Sequence, residues 1–338
     1  MNLLDTGGYS CVFYPPLKCT NKEVHSDYIS KLQYKKDTDY ELSIIESIKK
    51  DILPILPDYK NYFVLDAYSC TPEPIPKKMT KKCHLFKKKK EDQTMTTLNM
   101  PYMGQPLYKL IHKSRFLDYA LFKQINSKII DLYINAISVI NKHKIYHHDI
   151  KSSNILVGKD GHYRLIDWGI SNIMVYKPYF IFNQPYMYLC MNDDFQEKIK
   201  SINIENENIV RTFMFNYLNS IDLLDSSDYI YTHEILNIIQ PSTDKLHPLL
   251  LDNYVRIVMA NKSVSELSKI YVNNLDYVGV ITIYMDIIYK IKTQKNQHTT
   301  LQRLNQQLFS IYLKYIMSGL YFIKSDEFVL DLEELNNL

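Results

Sequence analysis

The chain has few cysteines, little net charge and no long apolar run. Its 338 residues hold five cysteines, Cys11, Cys19, Cys70, Cys83 and Cys190. None forms a C-x-x-C pair and the number is odd, so the spacing predicts reduced thiols rather than a disulfide framework, and with them a reducing, cytoplasmic setting. Charge nearly cancels. Forty basic residues against 37 acidic ones leave +3, too little to argue for a nucleic acid or an anionic membrane as partner. The most apolar window, Tyr277 to Tyr289, contains Asp286 and is too short to span a bilayer. The first residues, MNLLDTGGYS, lack a basic stretch followed by an apolar one, so no signal peptide is expected. There is no internal repeat. What is present is 46% hydrophobic and 23% charged, a globular composition, in a chain long enough for one large domain or two lobes with a sizeable core.

The stretch from Ile145 to Gly169, IYHHDIKSSNILVGKDGHYRLIDWG, organises the rest. Ile155, Leu156 and Val157 form an apolar, β-prone run. Gly158-Lys159-Asp160-Gly161 is turn chemistry, and Tyr163, Leu165 and Ile166 begin a second strand. The hairpin sets Asp149 and Asn154 before its first strand and Asp167 just after its second, so both ends are expected to converge on one site. Phosphoryl transfer needs a carboxylate beside the attacking hydroxyl, oxygen ligands for Mg²⁺ and a cation near the moving group. Asp149, the pair Asn154 and Asp167, and Lys151 supply them.

This stretch resembles the core of eukaryotic-type protein kinases. Tyr146 to Asn154 is similar to the catalytic loop H-R-D-x-x-x-x-N, and Asp167-Trp168-Gly169 to D-F-G. The resemblance implies an α+β, bilobal kinase-like fold, with a small β-rich N-lobe over residues 1–100 and a large helical C-lobe over 101–338. Asp149 would then orient and deprotonate the hydroxyl, Lys151 would steady the γ-phosphoryl group, and Asn154 and Asp167 would hold Mg²⁺, or Mn²⁺ in its place.

Upstream, Asp5-Thr6-Gly7-Gly8-Tyr9-Ser10-Cys11-Val12 resembles the kinase glycine-rich loop, with Gly7, Gly8 and Val12 at the nucleotide, although Asp5 and Ser10 stand where glycines are usual. Tyr28 to Leu32 reads as a short strand with Ile29 and Lys31 on one face. It resembles V-A-I-K, which makes Lys31 the ligand of the α and β phosphates of ATP. Glu41 opens a helical pattern with Ile45 and Ile48. A glutamate on an apolar face needs a partner, and Lys31 is the natural one. Tyr62 to Leu65 and Leu98 to Met100 read as further strands. Residues 72–93 form a proline- and lysine-rich loop, read as a solvated insertion, with a docking surface for an acidic partner as the alternative. Its Cys83 and His84, with Cys70, lack a fourth ligand at zinc spacing. Met100-Pro101-Tyr102-Met103-Gly104 resembles the hinge between kinase lobes, so Met100, Tyr102 and Met103 are expected at the adenine.

Phe122 to Lys144 has the 3.6-residue period of a buried helix leading into the catalytic loop. Asn274-Leu275-Asp276 resembles the start of the long central kinase helix, whose aspartate supports that loop. Between Pro185 and Asp276 the chain is far longer than usual. Its apolar stretches, Ile230 to Ile239 and Leu249 to Met259, imply a helical insertion over about 190–270, and Leu301 to Leu338 reads as amphipathic helix. His148 stands where the loop arginine would be, and no glutamate follows Pro185. Activity is therefore not expected to need a phosphate on the intervening segment. These departures resemble the serine/threonine kinases of large cytoplasmic DNA viruses, a setting of host cytoplasm or virion. The reading is an ATP- and Mg²⁺-dependent serine/threonine kinase acting on a protein substrate, with no nucleic acid or membrane partner. Two alternatives stay open: a catalytically weak or dead kinase-like scaffold, and a small-molecule kinase of the aminoglycoside or choline type.

Overall fold

The computed structural model describes residues 2–6, 10–20, 22–76, 81, 83, 85–88, 94–171, 193–220, 233–234, 236–238, 240–294, 299–316 and 320–338. The chain divides into two compact units, one of residues 1–107 and 154–171, the other of 108–153 and 172–338. The first unit thus runs past the boundary expected at residue 100 and takes in the hairpin of Asn154 to Ser171.

The first unit holds a five-stranded antiparallel sheet of order β1-β2-β3-β5-β4. Its strands are β1 (Asn2–Thr6), β2 (Cys11–Tyr14), β3 (Tyr28–Tyr34), β4 (Tyr68–Cys70) and β5 (Met95–Pro101). Period-2 alternation sorts the side chains. Cys11 and Phe13 of β2 and Leu32 of β3 enter an apolar cluster with Leu17, Cys83, Leu85 and Met95, while Val12 and Lys31, directly paired across the ladder, take the other face. Helix α1 (Lys35–Ile52) follows β3 without a loop. Tyr34 is still extended, and the Lys35 N–H donates to the Thr94 carbonyl at 2.8 Å. The helix therefore starts a turn and a half before Glu41, where the sequence pattern opened it. Thr38, Glu41, Ile45, Ile48 and Ile52 form its buried stripe.

The run Tyr62 to Leu65 is not a strand. A 3₁₀ turn over Tyr59–Asn61 is followed by one parallel bridge between Phe63 and Leu165. Phe63, Val64 and Leu65 are buried all the same, because the partner of this apolar run is the distant hairpin rather than a neighbouring strand. That hairpin is β7 (Ile155–Val157) and β8 (Tyr163–Leu165), with β6 (Gln105–Pro106) beside β7. Its turn needs Gly161, whose φ of +80° lies in the left-handed region.

The cysteines correct the expectation of free thiols. Cys11 pairs with Cys83 and Cys19 with Cys70, each with Cα atoms 5.9 Å apart. The partners are 72 and 51 residues apart in sequence, so no local spacing announces them. Cys190 lies outside the described residues.

The second unit is helical. Its elements include α2 (Leu107–Lys113, whose first residue belongs to the first unit), α3 (Tyr119–Leu132), α4 (Ser138–Lys142), α5 (Asp193–Ile199), α6 (Glu207–Asn219), α7 (Pro248–Met259), α8 (Val264–Thr293), α9 (Thr299–Ile316) and α10 (Ser325–Glu334). Helices α3 and α4 are joined through a wide turn at Tyr133–Ile137 and together cover most of the helix expected over 122–144. The central helix α8 begins at Val264, earlier than Asn274, because Ser263 and Glu266 close a capping box there. It is apolar nearly all round, as a core helix must be. Tyr284 of α8 donates to Asn126 Oδ1 of α3 at 2.6 Å, and Asn126 donates to the Leu332 carbonyl of α10 at 2.7 Å, so one buried amide ties three helices. Helices α5, α6 and α7 fall in the expected insertion, with Phe195, Phe213 and Tyr217 in mutual ring contact. Most of the stretch Ile230 to Ile239 lies outside the described residues.

One surface tie in the first unit has a readable pH dependence. Asp66 receives hydrogen bonds from Lys49 and Tyr59 and an ion pair from Lys60 at 2.8 Å. Burial by itself would raise this carboxyl, but those partners outweigh it and bring it down to about 2. A depressed carboxyl stabilises the fold above its unfolded value and loses that contribution as pH falls toward the folded value. Asp66→Asn should therefore cost about 1 kcal/mol at neutral pH, after allowance for solvent screening. The difference from wild type should shrink between about pH 4 and about pH 2. Urea titrations of both proteins across that range check it. A difference that stays constant down to pH ~2 would contradict the assignment.

Candidate active site

Lys31 sits on β3 opposite Val12, with Gln33 two residues on and on the same face. Helix α1 brings Glu41 to this face from its buried stripe. The Lys31 Nζ donates to both Glu41 oxygens at 2.8 Å and to Asp167 Oδ1 at 3.0 Å. Gln33 Nε2 donates to Glu41 Oε2 at 3.0 Å. Burial alone would lower the Lys31 ammonium. The carboxylates of Asp167 and Glu41 outweigh that and hold it well above the ordinary lysine range. Lys31 is thus a permanent cation in a largely desolvated place, with its position fixed by two anions.

Asp167 follows β8 with φ +67°, a left-handed conformation that aspartate tolerates better than most residues. Its side chain is 42% exposed, against 7% for Glu41, so Asp167 presents its carboxylate outward while Glu41 is enclosed. Trp168 is buried and meets Phe63 edge to face at 5.2 Å. That contact anchors the chain immediately beyond Asp167. The Ile166 N–H donates to the Asn154 carbonyl at 3.0 Å, closing the hairpin at its open end. Asn154 and Asp167 offer oxygen ligands alone. Among the described residues no group of three or more His, Cys, Asp or Glu side chains could cage a metal. So small and hard a donor set would suit a hydrated Mg²⁺ better than an ion held by protein alone.

The second unit places Asp149 and Lys151 together, with Lys151 Nζ 2.9 and 2.8 Å from the two Asp149 oxygens. The loop carrying them is pinned to α8 at several points. The fully buried Asp276 carboxylate accepts the backbone N–H groups of His147 at 3.0 Å and His148 at 2.8 Å. Ser152 donates to Asp286, and Tyr146 donates to Asn273 at 3.0 Å. His148 itself has φ +66°. Such a conformation costs about 1–3 kcal/mol and persists only where its surroundings impose it. The two Asp276 hydrogen bonds are such an imposition.

Val12, Lys31, Glu41 and Asp167 are therefore brought together in one unit, and Asp149 and Lys151 in the other. Met100, at the end of β5, is buried, and Tyr102 is 38% exposed. Gly7 and Gly8 lie outside the described residues, as do His84 and the segment 172–192 with Pro185. Sequence reasoning missed Gln33, although the same period-2 alternation that marked Lys31 marks it. It also missed Gly279. A Cβ there would stand 2.7 Å from Ile150 Cβ and 2.9 Å from its carbonyl oxygen.

Residues 77–190 match the protein kinase domain family. That segment, about a third of the chain, is similar to protein kinase domains and carries Asp149, Lys151, Asn154 and Asp167. Among the chain's relatives, the protein kinase domain-containing protein ppk9 of Schizosaccharomyces pombe is 34% identical over 80 residues, 24% of this chain and 14% of that protein. The serine/threonine-protein kinase ppk31 of the same organism is 31% identical over 96 residues, 28% of this chain and 9% of that protein. The chain thus spans well under a fifth of the length of these curated relatives. Among solved structures, the Cydia pomonella granulovirus kinase PK-1 is similar with a TM-score of 0.32 and 20% identity, over 53% of this chain and 56% of that one.

The close approach of α8 to the loop of Asp149 and Lys151 gives a direct test. Gly279→Ala must push Ile150 away, and overpacking of this kind costs about 1–3 kcal/mol. Chemical denaturation should show a loss of that size. Stability within about 0.5 kcal/mol of wild type would mean that helix and loop are not in this contact.

Proposed function

We propose that the chain transfers the γ-phosphoryl group of ATP to serine and threonine hydroxyls of protein substrates. The observation that carries this reading is the Lys31 ammonium held between Glu41 and Asp167. A largely buried lysine held protonated between two carboxylates is suited to the α and β phosphates of a nucleotide. Asp149 accepts the proton of the attacking hydroxyl, and Lys151, paired with it, steadies the charge of the moving phosphoryl group. Asn154 and Asp167 would hold Mg²⁺, which when bound neutralises phosphate charge. The position of Lys151, two after Asp149, supports serine and threonine over tyrosine and argues against a small-molecule kinase. The two ion-paired groups argue against a dead scaffold. The viral affinity rests on the sequence patterns alone. The cytoplasmic setting loses its cysteine argument, since four cysteines pair. Among the described residues no helix is long and apolar enough to cross a membrane.

The test is transfer of radiolabelled γ-phosphate to generic protein substrates, followed by phosphoamino-acid analysis. Label on serine and threonine is expected, and Asp149→Asn should reduce it at least about a hundredfold. Label that appears equally with Asp149→Asn, or that falls on tyrosine alone, overturns the reading.

A further inference from the structure

Two side chains that face each other across the first sheet both reach α1. Gln33 of β3 is paired with Thr96 of β5, in the row next to the pair of Lys31 with Leu98. Directly opposed residues point to the same face of a sheet, so Lys31, Gln33 and Thr96 share the face that α1 covers. The Gln33 Nε2 donates to Glu41 Oε2 at 3.0 Å, and the Thr96 hydroxyl donates to the Thr38 hydroxyl at 2.8 Å. Thr38 and Glu41 both belong to the buried stripe of α1, at i and i+3. The sheet therefore holds α1 at two points a turn apart, in addition to the contact of Glu41 with Lys31.

The start of the helix is fixed as well. Helix α1 follows Tyr34 with no connecting loop, and the Lys35 N–H donates to the Thr94 carbonyl at 2.8 Å. Thr38 accepts from Thr96 and donates in turn to the Tyr34 carbonyl at 3.3 Å, so its hydroxyl is used in both directions. Gln33, Thr38 and Thr96 are all buried. A movement of α1 that drew Glu41 away from Lys31 would strip these buried polar groups of their partners, and that loss opposes the movement. The Gln33 amide is uncharged, so it steadies the Glu41 carboxylate without altering the charge balance of the ion pair.

We infer that Gln33, Thr38 and Thr96 are positioning residues that hold Glu41 against Lys31 before a nucleotide or a partner arrives. The inference rests on the reading of Lys31 as a nucleotide phosphate ligand, and it names how that site is regulated. The chain's own contacts lock α1 in the engaged position. The site is therefore assembled in the resting state, and α1 is not its switch.

Equilibrium binding of labelled ATP, with Mg²⁺, to the full chain tests this without requiring turnover. Gln33→Met keeps an unbranched side chain of similar size and removes the donor. It should weaken ATP binding about tenfold, the size expected for a hydrogen bond to a charged group. The same substitution made in Glu41→Ala should change affinity by less than about twofold, because its effect passes through Glu41. Thr38→Val combined with Thr96→Val removes both partners of one bond, a change that is nearly neutral in stability. Amide hydrogen exchange then reads the lock itself. In wild type the first turns of α1 should be equally protected with and without ATP. In the double valine variant they should exchange at least about tenfold faster without ATP and recover when it is added. Melting of each variant without nucleotide controls for folding, and if Gln33→Met does not fold, the exchange measurements decide. Wild-type ATP affinity in Gln33→Met overturns the inference, as does an undiminished loss when Glu41 is already absent. So does wild-type protection of α1 in the double valine variant, or protection in wild type that forms only with ATP. The proposed function stands in each of these cases. A wild-type chain that binds no ATP overturns the reading of Lys31, and the inference with it.

Discussion

A single ammonium held by two carboxylates organises the first unit. Lys31 comes from the sheet, Glu41 from α1 and Asp167 from the hairpin that closes 136 residues later. Taking the Lys31 ammonium and the Glu41 carboxylate out of water is costly, and the cost is met only if the geometry pairs them, with Asp167 as the second anion at Lys31. The sheet, the helix and the hairpin must therefore arrive in one register. The bridge between Phe63 and Leu165 and the seat of Trp168 on Phe63 hold the hairpin in that register. A ring of apolar contacts thus fixes an electrostatic arrangement that would be unfavourable on its own.

The second unit solves a different problem. The loop of Asp149 and Lys151 has little regular structure, yet its backbone must keep a shape that includes a left-handed histidine. Helix α8 supplies the template. Asp276 gathers two consecutive N–H groups, Gly279 lets Ile150 approach, and Asp286 takes the Ser152 hydroxyl. Rigid helix and irregular loop divide the labour between precision and chemistry.

Much of this was legible in the sequence, and the limits have physical causes. Lys31 and Glu41 could be read because two different periods each mark a face, 2 for the strand and 3.6 for the helix. The hairpin could be read because turn residues and β-prone runs agree. The disulfides could not, because their partners meet only through sheet register across 72 and 51 residues. Tyr62 to Leu65 looks like a strand because burial of an apolar run gives the same pattern whether or not it pairs along its length. The stacking of Tyr14 on Tyr102 joins two segments whose contact no local spacing announces. The motif around Asp276 marks a point well inside α8, whose start is set by the capping box of Ser263 and Glu266.

The proposed role of the Lys31–Glu41 pair in nucleotide binding is tested most directly by a double-mutant cycle. ATP affinity would be compared in wild type, Lys31→Ala, Glu41→Ala and the double variant. If Glu41 acts by positioning Lys31, the two losses overlap. The double variant then binds about as weakly as Lys31→Ala alone, with a coupling of about 1 kcal/mol or more. Losses that simply add, with coupling below about 0.5 kcal/mol, would show that the two residues act independently and would contradict the account.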